Sequence, residues 1–246
     1  MLRGPGRVPA RSASAVGTVA GMSLAHTERA ALADLLGELG PHQPTLCDGW
    51  ETGDLLTHLL VRERRMDAAL GMFLKPLTGW TARVSAGYSK RPWAAQVELF
   101  RSGPPGFTPL GWGSMDEKAN GMELFIHHED ARRGQPDWQP RDFDVDVRNE
   151  LLKMITSRFV LRGLRKIGVP VTARLTDEPG QVDRPVILVP STDLDIADPA
   201  GGVVMYGAVG EILLWLTGRS AVRIRWEGDP ADVGAVLAAG KAVPGR

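Results

Sequence analysis

The chain has 246 residues, of which 43% are apolar and 24% are charged, as in globular proteins with a packed core. Its 29 basic and 29 acidic residues balance, so net charge gives no reason to expect nucleic acid or an anionic membrane as a partner. The single cysteine, Cys47, excludes an intrachain disulfide framework and a cysteine-only zinc site, and it favours a cytoplasmic location. No stretch approaches the ~18 consecutive apolar residues of a membrane span.

The first 21 residues differ in composition from the remainder. They contain three arginines, no acidic residue, and many glycine, proline, alanine and serine residues, so we predict that segment 1–21 is disordered. A signal peptide is a weaker interpretation, because glycines and a serine interrupt the mildly apolar stretch. Met22 directly precedes the first strong helical pattern, and translation from Met22 would equally explain the segment.

Apolar periodicity predicts helices through the next part of the chain. Residues 27–39 carry leucines at helical spacing, and Gly40 follows as a stop signal. Further helices are predicted over residues 51–74, 92–103, 115–133 and 145–164. The region 72–91 is interrupted by proline, glycine and serine, which are typical of turns.

Beyond Gly168 the pattern changes to short β-branched runs bounded by glycine and proline. Strands are predicted within residues 169–176, 185–190, 201–207 and 222–230, and helices over 208–219 and 231–243. The predicted fold class is therefore α+β, with a helical bundle over residues 23–164 and a small α+β domain over residues 168–243.

The stretch "GMELFIHHEDARR", residues 121–133, carries several polar groups on one predicted helix. At about 100° per residue, Glu123, His127 and Asp130 fall within roughly 60° of one another. His128 points away from this stripe, so we interpret His128 and Glu129 as surface or interhelix groups. A buried carboxylate beside a buried imidazole is costly unless it is paired or binds a cation.

Glu123 and His127 could supply two metal ligands from adjacent helical turns, with a third from a facing helix. His58 is the best third candidate, because Leu55 and Leu59 flank it on its own helix and orient it inward. Two imidazoles and one carboxylate are typical of a catalytic zinc site, and Ni²⁺, Fe²⁺ or Co²⁺ would accept the same ligands. The alternative is that Glu123 and His127 form a salt-bridge pair on the helix surface.

Three further residues are candidates for supporting roles. Arg62 and Arg65 lie within about 40° of His58 on the helix, so they could hold a substrate or cofactor anion near the metal. The alternative is that they pair with Asp116 and Asp130 across the helix interface. Asp130 could orient a ligand histidine or form a structural salt bridge.

The stretches "LCDGWETGDLLTHL", "RSGPP" and "NGMELFIHHEDARR" resemble the actinobacterial branch of the DinB-like superfamily, which includes mycothiol-dependent maleylpyruvate isomerases. The resemblance covers residues 24 to 135, and "GEILLWLTGR" is similar to the small C-terminal domain of those proteins. It implies a four-helix bundle with a divalent metal, usually zinc, on His58, Glu123 and His127. The chain departs from the family where Glu51, rather than a threonine, follows the tryptophan before the second helix.

The resemblance also implies a function. Relatives in this superfamily are thiol-dependent isomerases and S-transferases that use mycothiol or another small thiol, with small electrophilic molecules as substrates. The metal would hold the thiol as a thiolate for attack on an electrophilic carbon. Two alternatives stay open from the residues, a metal-dependent hydrolase and a non-catalytic metal-binding module.

Overall fold

The computed structural model describes residues 23–72, 74–106, 113–177, 185–190 and 202–241. The predicted disordered segment 1–21 lies outside the described residues. The fold is mixed α+β, with a helical majority and a four-stranded sheet, which confirms the predicted class.

Helices form the first part of the described chain, as the apolar periodicity predicts. They are α1 (Leu24–Leu39), α2 (Thr52–Arg64), α3 (Met66–Ala69), α4 (Thr78–Ser89), α5 (Trp93–Arg101), α6 (Gly113–Arg133) and α7 (Val145–Ile155).

The largest differences between the predicted and observed helices lie at three places. α2 ends at Arg64 because Arg65 leaves the helical conformation, with φ −135° and ψ 66°. α4 occupies the region in which turn residues are frequent. α7 ends at Ile155, where the Thr156 hydroxyl donates to the carbonyl of Leu152 at 2.9 Å, and 3₁₀ turns follow. Side-chain hydroxyls that bond the preceding turn in this way compete with helix continuation.

The last part of the described chain forms the sheet and two helices. These are β1 (Val171–Leu175), β2 (Pro185–Val189), β3 (Val203–Gly207), α8 (Val209–Leu216), β4 (Arg225–Glu227) and α9 (Pro230–Lys241). The strand order is β2-β1-β3-β4, in which β1 and β3 are parallel and the other neighbours are antiparallel. Within the described ranges, no helix is long and apolar enough to cross a membrane.

Two apolar cores lie on different faces of α6. The first core joins α1, α2 and α5 to α6, where Leu124 is fully buried. The second joins the sheet, α7 and α8 to the adjacent α6 residues Phe125 and Ile126. Because α6 packs on both sides, its polar residues from His127 to Asp130 are buried between elements. The predicted division at residues 164 to 168 stays a prediction, and α7 packs against α8 rather than only against the helices before it.

Candidate metal centre

The first candidate ligand, His58, is positioned by the loop that precedes α2. The amide of Glu51 donates to the Asp54 carboxylate at 3.0 Å, and the Thr52 hydroxyl donates to the carbonyl of Gly40 at 2.6 Å. Glu51 therefore takes the cap position of α2. The Trp50 ring packs 5.1 Å from the His58 ring and closes one side of the site.

The candidate ligand atoms of α2 and α6 converge on one point. His58 Nε2 lies 3.5 Å from Glu123 Oε1, and His127 Nε2 lies 3.3 Å from the same oxygen. All three ligand atoms lie within 4.8 Å of one another. Two ligands that each sit about 2.0–2.1 Å from a tetrahedral ion are separated by about 3.3 Å. The observed spacing fits ligands around a cation better than direct hydrogen bonds, which favour about 2.7–3.2 Å.

His58 Nε2 is a buried polar atom without a hydrogen-bond partner among the described residues. Burial lowers the pKa of His58, so its ring is neutral and Nε2 can offer a lone pair. Burial alone would raise the pKa of Glu123, but its contacts with His127 and His58 lower it below the usual value. The pair therefore presents a neutral imidazole and an ionised carboxylate, the forms that bind metals.

The second nitrogen of His127 is held by Asp130 on the next turn of α6. Nδ1 lies 3.0 Å from Asp130 Oδ2, and the Asp130 side chain is fully buried. Burial alone would lower the pKa of His127, but Asp130, Cys47 and Glu123 raise it well above the ordinary value. The Nδ1–H group of His127 donates a hydrogen bond to Asp130, so its Nε2 is the nitrogen that faces Glu123. A cation bound at Nε2 would replace the proton on that nitrogen.

Arg219, just after α8, approaches Asp130 from the C-terminal part of the chain. Its Nε and Nη2 donate to the two Asp130 oxygens at 2.9 and 2.7 Å. Burial alone would raise the pKa of Asp130, but His127 and Arg219 lower it to about 2. The Asp130 carboxylate therefore stays ionised and holds the His127 ring through its Nδ1 atom.

A second candidate group shares His127 through its other nitrogen. Cys47 Sγ lies 3.2 Å from Asp130 Oδ2 and 3.9 Å from His127 Nδ1, and all three side chains are buried. Here the polar atoms already bond one another, and Arg219 occupies both oxygens of Asp130. The group built on His58 and Glu123 is therefore the better candidate cation site.

The two arginines predicted to bind an anion lie in different surroundings in the structure. Arg62 Nε lies 3.4 Å from Glu123 Oε1, and Arg62 also donates to Asn120, so it borders the candidate ligands. Arg65 instead pairs with Asp67 at 2.7 Å and stacks on Trp80, because the chain leaves the helix at this residue.

Of the two carboxylates predicted as alternative partners of these arginines, Asp130 is engaged elsewhere. Asp130 binds His127 and Arg219 rather than Arg62 or Arg65. The Asp116 side chain lies outside the described residues.

A buried ion-pair network on the far side of α6 is the feature that the sequence pattern did not reveal. His128 Nδ1 lies 2.7 Å from Glu28 on α1, which confirms its interhelix position but shows that it is buried. Glu129 is also buried, and it pairs with Arg133 at 2.5 Å and with Arg141 at 2.6 Å. The local signal for part of this network is the spacing of Glu129 and Arg133, which lie four residues apart on α6.

Arg133 extends the network to the C-terminal part of the chain. Its guanidinium makes two hydrogen bonds with Glu211 of α8. The ring of Trp138 lies 4.3 Å from the same guanidinium. α6 is therefore fixed to α8 by a buried and fully paired cation.

The comparisons with known proteins give no match to a family model, to a curated protein or to a solved structure.

Replacing Asp130 with asparagine should weaken zinc binding about 10–100-fold, the usual effect of losing an outer-shell partner of a ligand histidine. The amide keeps the shape of the side chain but removes the charge that orients His127. Zinc affinity measured by competition with a chelating dye checks this expectation. Asp34→Asn is the matched control, because Asp34 is an exposed residue that pairs with Arg101. Equal zinc affinity in wild type and Asp130→Asn would contradict the role given to Asp130.

Proposed function

We propose that this chain binds a divalent cation through His58, Glu123 and His127 and uses it to activate a small thiol such as mycothiol. The reaction would be an isomerisation or an S-transfer on a small electrophilic molecule. The observation that supports the cation site is the convergence of three ligand atoms, with His58 Nε2 buried and without a hydrogen bond to any described residue. Three protein ligands leave a coordination position for an exogenous group, as in catalytic zinc sites.

In the proposed site, the ion would activate the thiol, and the protein side chains would orient the ligands and bind an anionic group. A divalent cation bound there lowers the pKa of a thiol and keeps the sulfur as a thiolate. Asp130 holds the ring of His127 in one orientation, and the ring of Trp50 packs beside His58. Arg62, next to Glu123, is the cation placed to receive a carboxylate of the thiol or of the substrate.

The arrangement of the helices also supports the proposal. α1, α2, α5 and α6 surround one apolar core, and the candidate ligands lie on two of these helices. This arrangement is the one expected of a DinB-like four-helix bundle with a small C-terminal domain. A cytoplasmic location, where low-molecular-weight thiols are reduced, belongs to the proposal.

Calorimetry of the full chain with mycothiol, with and without bound zinc, tests the thiol part of the proposal. We expect the thiol to bind the zinc-loaded protein with release of a proton, and to bind the metal-free protein at least about tenfold more weakly, because the thiolate is the form that metals bind. The S-methylated thiol serves as the matched control, since it keeps the remainder of the molecule but cannot form a thiolate.

Two outcomes would favour the other interpretations. Hydrolysis of ester substrates by the zinc-loaded protein without any thiol would indicate a hydrolase. Stoichiometric zinc with neither thiol binding nor turnover, together with unfolding when zinc is removed, would indicate a structural metal module.

A further inference from the structure

A basic groove lies beside α4, on the side of α2 to which Arg65 turns. It has a volume of about 300 Å³, and Arg65, Arg83 and Arg91 line it together with Trp80 and Tyr88. Arg65 follows His58 by seven residues, which corresponds to roughly 10 Å along a helix. The groove is therefore separate from the candidate cation site.

Two of the arginines lie over aromatic rings. The Arg65 guanidinium lies 5.3 Å from the Trp80 ring centre, and that of Arg91 lies 5.3 Å from the Tyr88 ring centre. A cation–π contact uses the ring face and leaves the N–H groups of a guanidinium available to an acceptor. Arg65 uses two of its donors on Asp67, which also accepts from the Trp80 indole at 2.9 Å.

The groove has more positive than negative groups. Asp67 is the carboxylate bonded to Arg65, whereas neither Arg83 nor Arg91 has an ion-pair partner among the described residues. Between residues 64 and 93 the sequence has six basic residues and one acidic residue, although the whole chain is neutral. Three guanidinium groups against one carboxylate give the groove an excess of two positive charges.

The shape of α4 leaves room for an occupant. Trp80, Arg83 and Gly87 lie at positions i, i+3 and i+7, so they share one face of the helix. A Cβ added at Gly87 would meet no atom within 4 Å. The absence of a side chain at Gly87 keeps this part of the groove open.

The geometry points to a binding site for a phosphate-bearing dianion in this groove, with Arg83 and Arg91 as its principal donors. A dianion matches the excess charge, and phosphate oxygens suit the fork of a guanidinium group. Free phosphate and a phosphate monoester share this chemistry. The rings of Trp80 and Tyr88 provide an apolar wall for the organic part of a monoester.

Calorimetry with inorganic phosphate and with phenyl phosphate tests the site on the full chain. We expect saturable binding of one equivalent to wild type, and at least about tenfold weaker binding to the double variant Arg83→Met/Arg91→Met, because charge-assisted bidentate contacts are the strongest hydrogen bonds available there. The matched control is Arg158→Met/Arg162→Met, which removes two exposed charges from the turns after α7. This control should bind within about twofold of wild type, because distant exposed charges are screened by salt.

A second variant separates shape from charge. Gly87→Leu keeps all three arginines and favours the helix, yet it fills the groove, so it should also lose phosphate binding. Tighter binding of phenyl phosphate than of inorganic phosphate would identify a monoester as the ligand, and equal binding would identify free phosphate.

The proposal is overturned if wild type shows no saturable binding, or if the control loses as much affinity as the groove variant. Zinc content should be unchanged in the groove variants, so failure here and failure of the cation site are distinguishable.

Discussion

Replacing His58 with alanine should reduce zinc affinity by more than about 100-fold, because even the loss of an outer-shell partner costs about 10–100-fold. His58 is the only candidate ligand contributed by α2, and without it Glu123 and His127 are two ligands on adjacent turns of one helix. Two ligands do not complete the three-residue set of a catalytic zinc site. Zinc content by elemental analysis after dialysis, with wild type near one equivalent, measures the effect.

Two companion variants make this measurement specific. His26→Ala removes an exposed histidine from the start of α1 and should keep the full zinc content. Glu123→Gln preserves the size of the second ligand but not its charge, and it should lose zinc as His58→Ala does. Wild-type protein that stays free of zinc after reconstitution, or a His58→Ala protein with a full equivalent, would eliminate the proposed centre.

Replacing Arg133 with methionine should lower the free energy of unfolding by about 3–5 kcal/mol, the usual cost of removing one partner from a buried ion pair. Arg133 bonds both Glu129 and Glu211, and the side chains of all three are at most 4% exposed. The substitution leaves two buried carboxylates with reduced compensation. Urea unfolding of metal-free protein measures the loss, because bound ions would add their own stabilisation.

The matched control for Arg133→Met is Lys153→Met, which removes an exposed lysine paired with Glu150. Exposed pairs of this kind contribute about 0–1 kcal/mol. Equal unfolding midpoints for the two variants would show that the Arg133 contacts do not hold α6 to α8. Lower stability in Arg133→Met with an unchanged slope against urea would support the expected mechanism.

The helices and strands that were predicted correctly are those whose secondary structure follows from the local sequence pattern. The leucine spacing of α1 and the β-branched runs of the sheet are local signals, and both elements appear where expected. α4 was not predicted because glycine and serine suggest turns, whereas Val84 and Tyr88 pack against neighbouring helices and stabilise a helix there. Tertiary packing overrides local propensity in such segments.

The same distinction applies to the candidate site. Glu123 and His127 could be chosen from helical spacing alone, and His58 from the leucines beside it. The contacts of Asp130 with Cys47 and Arg219 join residues 83 and 89 positions apart in the chain, so no local pattern could indicate them. Arg65 was misplaced because an uninterrupted helix was assumed through the residue at which α2 ends.

Hydrogen bonds from Arg219 to Asp130 and between Asp130 and His127 join the C-terminal part of the chain to a proposed ligand on α6. Coupling between two equilibria is reciprocal, so the factor by which docking of Arg219 strengthens ion binding is also the factor by which an ion strengthens docking. Removal of the ion by a chelator would therefore loosen the attachment of α8, although none of the proposed ligands lies in that part of the chain. The attachment of α8 would therefore depend on whether a cation is bound between α2 and α6.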